Sequence, residues 1–301
     1  MPFLRLLLTL SLCVAMHSAA ADFTFAAFGD APYTDAEEAP FVGVIAAINR
    51  EPLAFVIHVG DFKNGWSPCT DTMFAQRRDW FALIHHPLIY TPGDNEWTDC
   101  WRALGRSNGE RDPLHRLQQL RRLFFADTNS LGQRKIALAR QSTDFPEHAR
   151  WEHGGVLFAA LNVPGGDNNA RMPNESVTRT KAVNAWIVDT FDIARTQSHS
   201  AVVLVMQANP WTFGGNARKH YLAILATIAR ETQQFTGEVL LIHGDTHQYR
   251  IDQPLNDPRG GKPLRNFTRI EVFGSPAVNW VRVQVSKQNG KLSFSATRGN
   301  R

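Results

Sequence analysis

Four times in this sequence an apolar, β-type run stops at Gly-Asp. The stretches are Phe23-Thr24-Phe25-Ala26-Ala27-Phe28-Gly29-Asp30, Phe55-Val56-Ile57-His58-Val59-Gly60-Asp61, Leu88-Ile89-Tyr90-Thr91-Pro92-Gly93-Asp94 and Val239-Leu240-Leu241-Ile242-His243-Gly244-Asp245. One Gly-Asp after a strand is an ordinary turn or helix cap. Four at equivalent strand ends imply chemistry, because gathered carboxylates repel one another and burial makes their ionisation costlier. A metal ion, a Lys or Arg partner, or a bound proton has to compensate. The last aspartate carries a histidine two residues on, in Asp245-Thr246-His247, which adds an imidazole nitrogen to the oxygen donors. Mixed Asp and His donors suit two-metal hydrolysis, in which cations activate a water and hold phosphoryl oxygens.

The grouping depends on the elements that carry these residues. Continuous apolar runs of this length fit strands covered on both faces. Helical patterns separate the first three, over Asp35 to Arg50 and over Thr70 to His86, the second with Pro87 as its stop. The intervals of 31 residues from Asp30 to Asp61 and 33 from Asp61 to Asp94 each hold one strand–helix unit. Parallel strands joined in this way place their C-terminal ends on one sheet edge, where open α/β sheets bind ligands. Asp30, Asp61, Asp94 and Asp245 are therefore expected to converge. Two further strands follow, Val156 to Val163 and Ala201 to Met206, with helices over Thr178 to Gln197 and near Ala217 to Phe235. Beyond Asn266 the pattern changes to a β meander: Phe267 to Phe273, Val278 to Val285, and Leu292 to Thr297 after an Asn289-Gly290 turn. This reads as two packed sheets with helices outside.

The chain has 301 residues, 43% hydrophobic and 20% charged, a globular composition that excludes disorder, collagen and a disulfide-rich miniprotein. Its 32 Lys+Arg against 28 Asp+Glu are evenly scattered and give no specific nucleic-acid signal. Met1 to Arg5 form a basic start, Leu6 to Met16 an apolar run, and Ser18-Ala19-Ala20-Ala21 a small-residue cleavage site. Residues 1–21 read as a signal peptide, and 22–301 as one exported domain, periplasmic or extracellular. No stretch of the chain reads as a membrane span. Two cysteines remain after cleavage, Cys69 and Cys100, and export favours one disulfide between them.

In order and spacing these motifs resemble the calcineurin-like metallophosphoesterase superfamily, whose pattern is Asp-x-His, Gly-Asp, Gly-Asn-His-Asp/Glu, a strand ending in His, and Gly-His-x-His. The matching stretches here are Asp30-Ala31-Pro32, Gly60-Asp61, Gly93-Asp94-Asn95-Glu96, Gln207-Ala208-Asn209-Pro210 and Gly244-Asp245-Thr246-His247. The resemblance implies a four-layer α/β/β/α sandwich and hydrolysis of a small phosphorylated substrate, a mono- or diester. By position it gives a first metal site of Asp30, Asp61 and His247, with Pro32 where a histidine is usual. The second site would be Asp61 as bridge, Asp94 in place of Asn, and Gln207 and Asp245 in place of histidines. Asn95 stands where the family has its proton-donating histidine and has no titratable proton.

Two explanations fit these departures. In one, the site is retuned: Asp61, Asp94, Asp245 and the Gln207 amide form an all-oxygen shell for Mn²⁺, Mg²⁺ or Ca²⁺. The added negative charge of the Asp substitutions favours this reading, and a Ca²⁺ site of purely structural role is a variant of it. In the other, Lys63 folds back as an internal cation, with Arg102, and the chain is an inactive pseudo-phosphoesterase that binds or scaffolds. Arg102, in Trp97-Thr98-Asp99-Cys100-Trp101-Arg102, is a candidate phosphate clamp on a cleft wall. His58 and His243 read as core histidines ahead of the site turns. The loop Gly165 to Asn169 either touches substrate or merely turns the chain. Asn174 and Asn266 lie in glycosylation sequons, and Trp186 reads as core packing.

Overall fold

A computed structural model of the chain describes residues 22–102, 108–212, 214–257, 259, 261–288 and 291–300. The expected signal peptide and the Asn289-Gly290 turn lie outside them. The first sheet has the order β12 (Lys291–Arg298), β11 (Val281–Gln288), β1 (Phe23–Phe28), β2 (Val56–His58), β3 (Leu88–Tyr90). The second runs β4 (Ala139–Arg140), β5 (Ala149–His153), β6 (Val156–Ala160), β7 (Ala201–Val205), β8 (Glu238–His243), β10 (Phe267–Glu271), β9 (Arg250–Asp252). Helices α1 (Asp35–Asn49), α2 (Asp71–Ala82), the short α3 (Asn108–Arg111) and α4 (Pro113–Phe124) belong to the first half of the chain. The tight turn α5 (Gly165–Asn168) precedes the long helices α6 (Pro173–Thr196) and α7 (Leu222–Gln234).

Strand alternation sorts the apolar residues into three layers. Phe25, Ala27 and Ile57 of the first sheet meet Phe158, Val203, Leu240 and Ile242 of the second between the sheets. On the outer face of the first sheet, Ala26, Phe28, Val56 and Leu88 pack on Phe41, Ile45, Phe74, Phe81 and Leu120. On the outer face of the second, Val202, Leu204, Val239 and Leu241 pack on Val183, Trp186, Ile187 and Ile228. Helices thus cover both outer faces, giving the expected α/β/β/α sandwich. Each fully buried Phe, Leu, Ile or Val contributes about 1.5–3 kcal/mol.

The strands that carry the site are parallel. β1, β2 and β3 pair in register through Ala26, Val56 and Leu88, and β6, β7, β8 and β10 form a parallel set in the other sheet. The closing meander is corrected. β10 leaves the last two strands and lies parallel to β8, pairing Ile270 with Ile242, while β11 and β12 form a hairpin against β1. Local alternation marks a strand but not its sheet, and here the apolar face of β10 is buried beside β8. The helix expected to run to His86 ends at Ala82, where Leu83 caps it by donating to Phe81 and Trp80 carbonyls. α6 starts at Pro173, five residues before the expected Thr178, because proline suits the first helical position. Asn266 spends its amide on the carbonyls of Thr232, Phe235 and Gly237, a structural role for that sequon residue.

Candidate functional site

The four aspartates converge on one rim of the sandwich. Three of them leave their strands in the left-handed region, Asp30 at φ 49°, Asp61 at φ 57° and Asp245 at φ 79°, as does His247 at φ 60°. Such backbone costs a non-glycine residue on the order of 1–2 kcal/mol and persists only when neighbours enforce it. The enforcement is visible. Asp30 N–H donates to Gly60 O (3.0 Å), and Gly244 N–H to Gln207 O (3.0 Å). Asp61 N–H donates to both oxygens of Glu96 (3.1 Å each), and Asp245 N–H to Asp30 Oδ1 (3.0 Å). The glycines of these motifs are needed for space, since a Cβ at Gly93 would collide with Asp61 Oδ1 and one at Gly244 with Asp30 Oδ2.

The rim has two halves. In the first, Asp61 is surrounded by donors. Its Oδ1 accepts Asn95 N–H (3.0 Å), and its Oδ2 accepts Tyr33 OH (3.0 Å), Asn95 Nδ2 (2.8 Å) and Gln207 Nε2 (3.1 Å). Gln207, expected as an oxygen ligand of the second metal site, is corrected: Gly165 N–H donates to its Oε1 at 2.5 Å, so the amide nitrogen and not the oxygen faces the carboxylates. His247 holds Ser275 O through Nδ1 (2.8 Å), leaving Nε2 against Tyr33 OH (3.2 Å) and 3.9 Å from Asp30 Oδ1.

In the second half, Asp94 and Asp245 both press on the side of Gly165 where a side chain would stand. A Cβ on that glycine would lie 2.6 Å from Asp94 Oδ1 and 2.7 Å from Asp245 Oδ1. Asp94 Oδ1 is buried without a hydrogen-bond partner among the described residues, as is Asp30 Oδ2. Asp245 Oδ2 is held by Asn209 N–H (2.9 Å) and by Arg218 Nη1 (3.4 Å). Burial, with the other charges adding to it, pushes the carboxyls of Asp30, Asp61 and Asp94 well above the usual carboxylate range. Burial raises Asp245, Glu96 and Asp99 in the same direction.

Lys63 makes no direct ion pair with the four aspartates among the described residues, although its charge acts on Glu96, Asp61, Asp99 and Asp94. Its Nζ donates to the carbonyls of Asn64 (2.7 Å) and Asn95 (2.6 Å), bracing the loops after β2 and β3, and burial lowers it to about 8. Arg102 pairs with Asp99 (2.6 Å) between the rings of Trp66 and Trp101, on the wall pinned by the Cys69–Cys100 disulfide. His58 and His243 are buried and neutral, each lowered to about 3 by burial. His58 Nδ1 accepts Gly60 N–H, backing the Asp61 turn.

Sequence reasoning missed Tyr33, Glu96, Asn209 and Arg218. Glu96, read only as part of the third motif, accepts from Gly93 N–H (2.8 Å) and Tyr90 OH (2.8 Å) as well as Asp61 N–H, tying two site turns together. A carboxylate so close after Gly93-Asp94 was the available signal. Tyr33 and Arg218 are loop residues whose roles arise only through distant contacts.

Among the described residues no group of three or more His, Cys, Asp or Glu is arranged to hold a metal ion. The donor chemistry differs between the halves. At the first position the Asp61 oxygens and His247 Nε2 already have hydrogen-bond partners, which does not fit a cation joining those two residues, while Asp30 Oδ2 has none. At the second, an orphaned Asp94 oxygen and an Asp245 oxygen lie against the same side of Gly165, a donor chemistry that fits one hard cation.

No protein-family model matches the sequence, and no curated protein is similar to it. Solved structures do match in fold. PhoD superposes with a TM-score of 0.52 at 11% identity, over 94% of this chain and 71% of that one. The purple acid phosphatase PPD1 of yellow lupin superposes with a TM-score of 0.51 at 12% identity, over 94% of this chain. The chain spans about half of the lupin enzyme, 52% of its length. Two face-to-face sheets, helices on both outer faces and parallel strand ends bearing carboxylates give this chain the fold of the calcineurin-like metallophosphoesterases.

Proposed function

We propose that residues 22–301 form an exported phosphoesterase-like hydrolase acting on small phosphoric mono- or diesters, with one hard divalent cation held by Asp94 and Asp245. The observation that carries this reading is the unpartnered Asp94 oxygen facing Asp245 beside Gly165. A rim this rich in carboxyl groups repels phosphate unless a cation intervenes. When bound, Mn²⁺, Mg²⁺ or Ca²⁺ would polarise a phosphoryl oxygen and favour ionisation of an attacking water.

The chain's own groups would do the rest. Arg218, beside Asp245 and partly exposed, offers a guanidinium to a phosphate oxygen, and Arg102 offers a second from the wall. Asn95 can orient an oxygen but has no proton to give, so an ester with a poor leaving group is expected to react slowly. Export is supported by the leader-like residues 1–21 and by the disulfide, since such bonds persist in oxidising compartments. No helix among the described residues is long and apolar enough to cross a membrane.

The test is a panel of phosphomonoesters and diesters with Mn²⁺, Mg²⁺ or Ca²⁺, together with elemental analysis of protein purified without chelator. About one divalent ion per chain and faster turnover of aryl than alkyl esters are expected. The donors crowded on Asp61 favour a second reading, a pseudo-phosphoesterase that binds without turnover. Tight cation or ligand binding with no hydrolysis across the panel would establish that reading and remove the first.

A further inference from the structure

We propose that the Tyr33 hydroxyl takes the place of a cation between Asp61 and His247, so that these two residues are joined by hydrogen bonds and the chain accepts no metal there. The hydroxyl lies between the two ligand-type atoms that face each other, 3.0 Å from Asp61 Oδ2 and 3.2 Å from His247 Nε2, and it accepts Asn95 Nδ2 at 2.9 Å. Oxygen and nitrogen ligands bind such metals at about 2.0–2.2 Å. A cation bonded to both atoms would have to enter the space beside the hydroxyl oxygen, among the protons of Tyr33, Asn95 and Gln207.

The arrangement is built, not incidental. Tyr33 N–H donates to Glu37 Oε2 (2.7 Å), Ser275 Oγ donates to Glu37 Oε1 (2.7 Å), and His247 Nδ1 donates to Ser275 O (2.8 Å). These bonds join the backbone of Tyr33 to the ring of His247, and the Tyr33 hydroxyl closes the circuit on Nε2. From the other side Asn64 Nδ2 donates to Tyr33 O (2.6 Å). The Tyr33 and His247 rings meet edge to face at 5.1 Å. Because His247 Nδ1–H donates to the Ser275 carbonyl, Nε2 is the accepting nitrogen, and the single phenolic proton serves either it or Asp61. The family-type histidine expected at Pro32 is thus replaced in function by its neighbour, as a hydrogen-bond donor and not as a metal ligand.

This inference concerns the first position, whereas the proposed function rests on the second, and one measurement separates them. Mn²⁺ stoichiometry is compared between the wild-type chain and Tyr33→Ala and Tyr33→Ser, after native far-UV circular dichroism is confirmed. An increase of one Mn²⁺ per chain in the variants supports the inference, whatever the wild-type value; the wild-type value itself, one or none, judges the proposed single cation. An unchanged stoichiometry in folded variants overturns the inference. Should neither variant fold, wild-type crystals grown in excess Mn²⁺ decide it. Anomalous density among Asp30, Asp61 and His247 would overturn it, and density confined to Asp94 and Asp245, or absent from both positions, would support it. A visible tyrosinate-to-metal charge-transfer band with Fe³⁺, lost in Tyr33→Phe, would likewise overturn it by making Tyr33 a ligand.

Discussion

In the half of the rim after β1 and β2, Asp61 accepts four hydrogen bonds and His247 a fifth contact from Tyr33. In the half after β3 and β8, Asp94 Oδ1 has no partner and lies with Asp245 Oδ1 against Gly165. Both halves are carboxyl groups on parallel strand ends, buried at similar depth, and both carry raised pKa values. What differs is the supply of neutral donors to Asp61 and to Asp94, since Asp30 Oδ2 in the first half is as unpartnered as Asp94 Oδ1. Amide and hydroxyl protons can offset a buried carboxylate almost as a cation does, because hydrogen bonding to the charged form favours it. Where they are missing, the negative charge needs a proton or a metal ion. The contrast shows that an acidic rim does not by itself define a binuclear centre; each carboxylate oxygen has to be followed to its partner.

The sharpest way to break this comparison is to remove one carboxylate from each half. Asp94→Ala is expected to weaken Mn²⁺ binding by about 100-fold or more, roughly 2.8 kcal/mol at 1.4 kcal/mol per tenfold. Asp30→Ala should change it only a few-fold. Isothermal titration of the two variants checks this, and the opposite order would exchange the roles of the halves. A smaller effect is expected from adding a side chain at Gly165. Gly165→Ala places a methyl against both Asp94 Oδ1 and Asp245 Oδ1, and overpacking of this sort costs about 1–3 kcal/mol. Chemical denaturation should show that loss, and Mn²⁺ should no longer protect the variant.

The smallest effect concerns the histidines under the two halves. His58 and His243 are lowered to about 3 in the folded state, so their contribution is present above the unfolded value of 6.5 and is lost as the pH falls toward 3. Between pH 7.5 and pH 5.5 each should remove about 1 kcal/mol of stability. Unfolding of His58→Gln over this range is expected to show a shallower acid loss than the wild type. An unchanged slope would mean that the ring already carries its proton, and with it that the Gly60 N–H bond behind Asp61 is misassigned.

Much of this was legible along the chain. Apolar runs ending in Gly-Asp, separated by one helical pattern each, were enough to locate β1, β2, β3 and β8 and to gather their aspartates, since parallel connection leaves all such ends on one edge. The cysteine pair was legible for a similar reason, with only two candidates left after the leader. Less could be read where partners are remote. β10 has the alternation of a meander strand, yet its neighbour β8 is chosen by the sheet it completes. Lys63, two residues after Asp61, acts on the carboxylates by its charge, but its hydrogen bonds go to backbone carbonyls and not to Asp61.

The sequence alone determined which residue types stand at the strand ends, and therefore that carboxyl groups would meet at one edge of the sheets. Tertiary structure decided how each of those groups is satisfied. Tyr33 reaches His247 across 214 positions and Gln207 reaches Asp61 across 146. Hydrogen bonds act over about 3 Å in directions set by the packed backbone, and nothing in local composition or periodicity specifies which distant donor arrives.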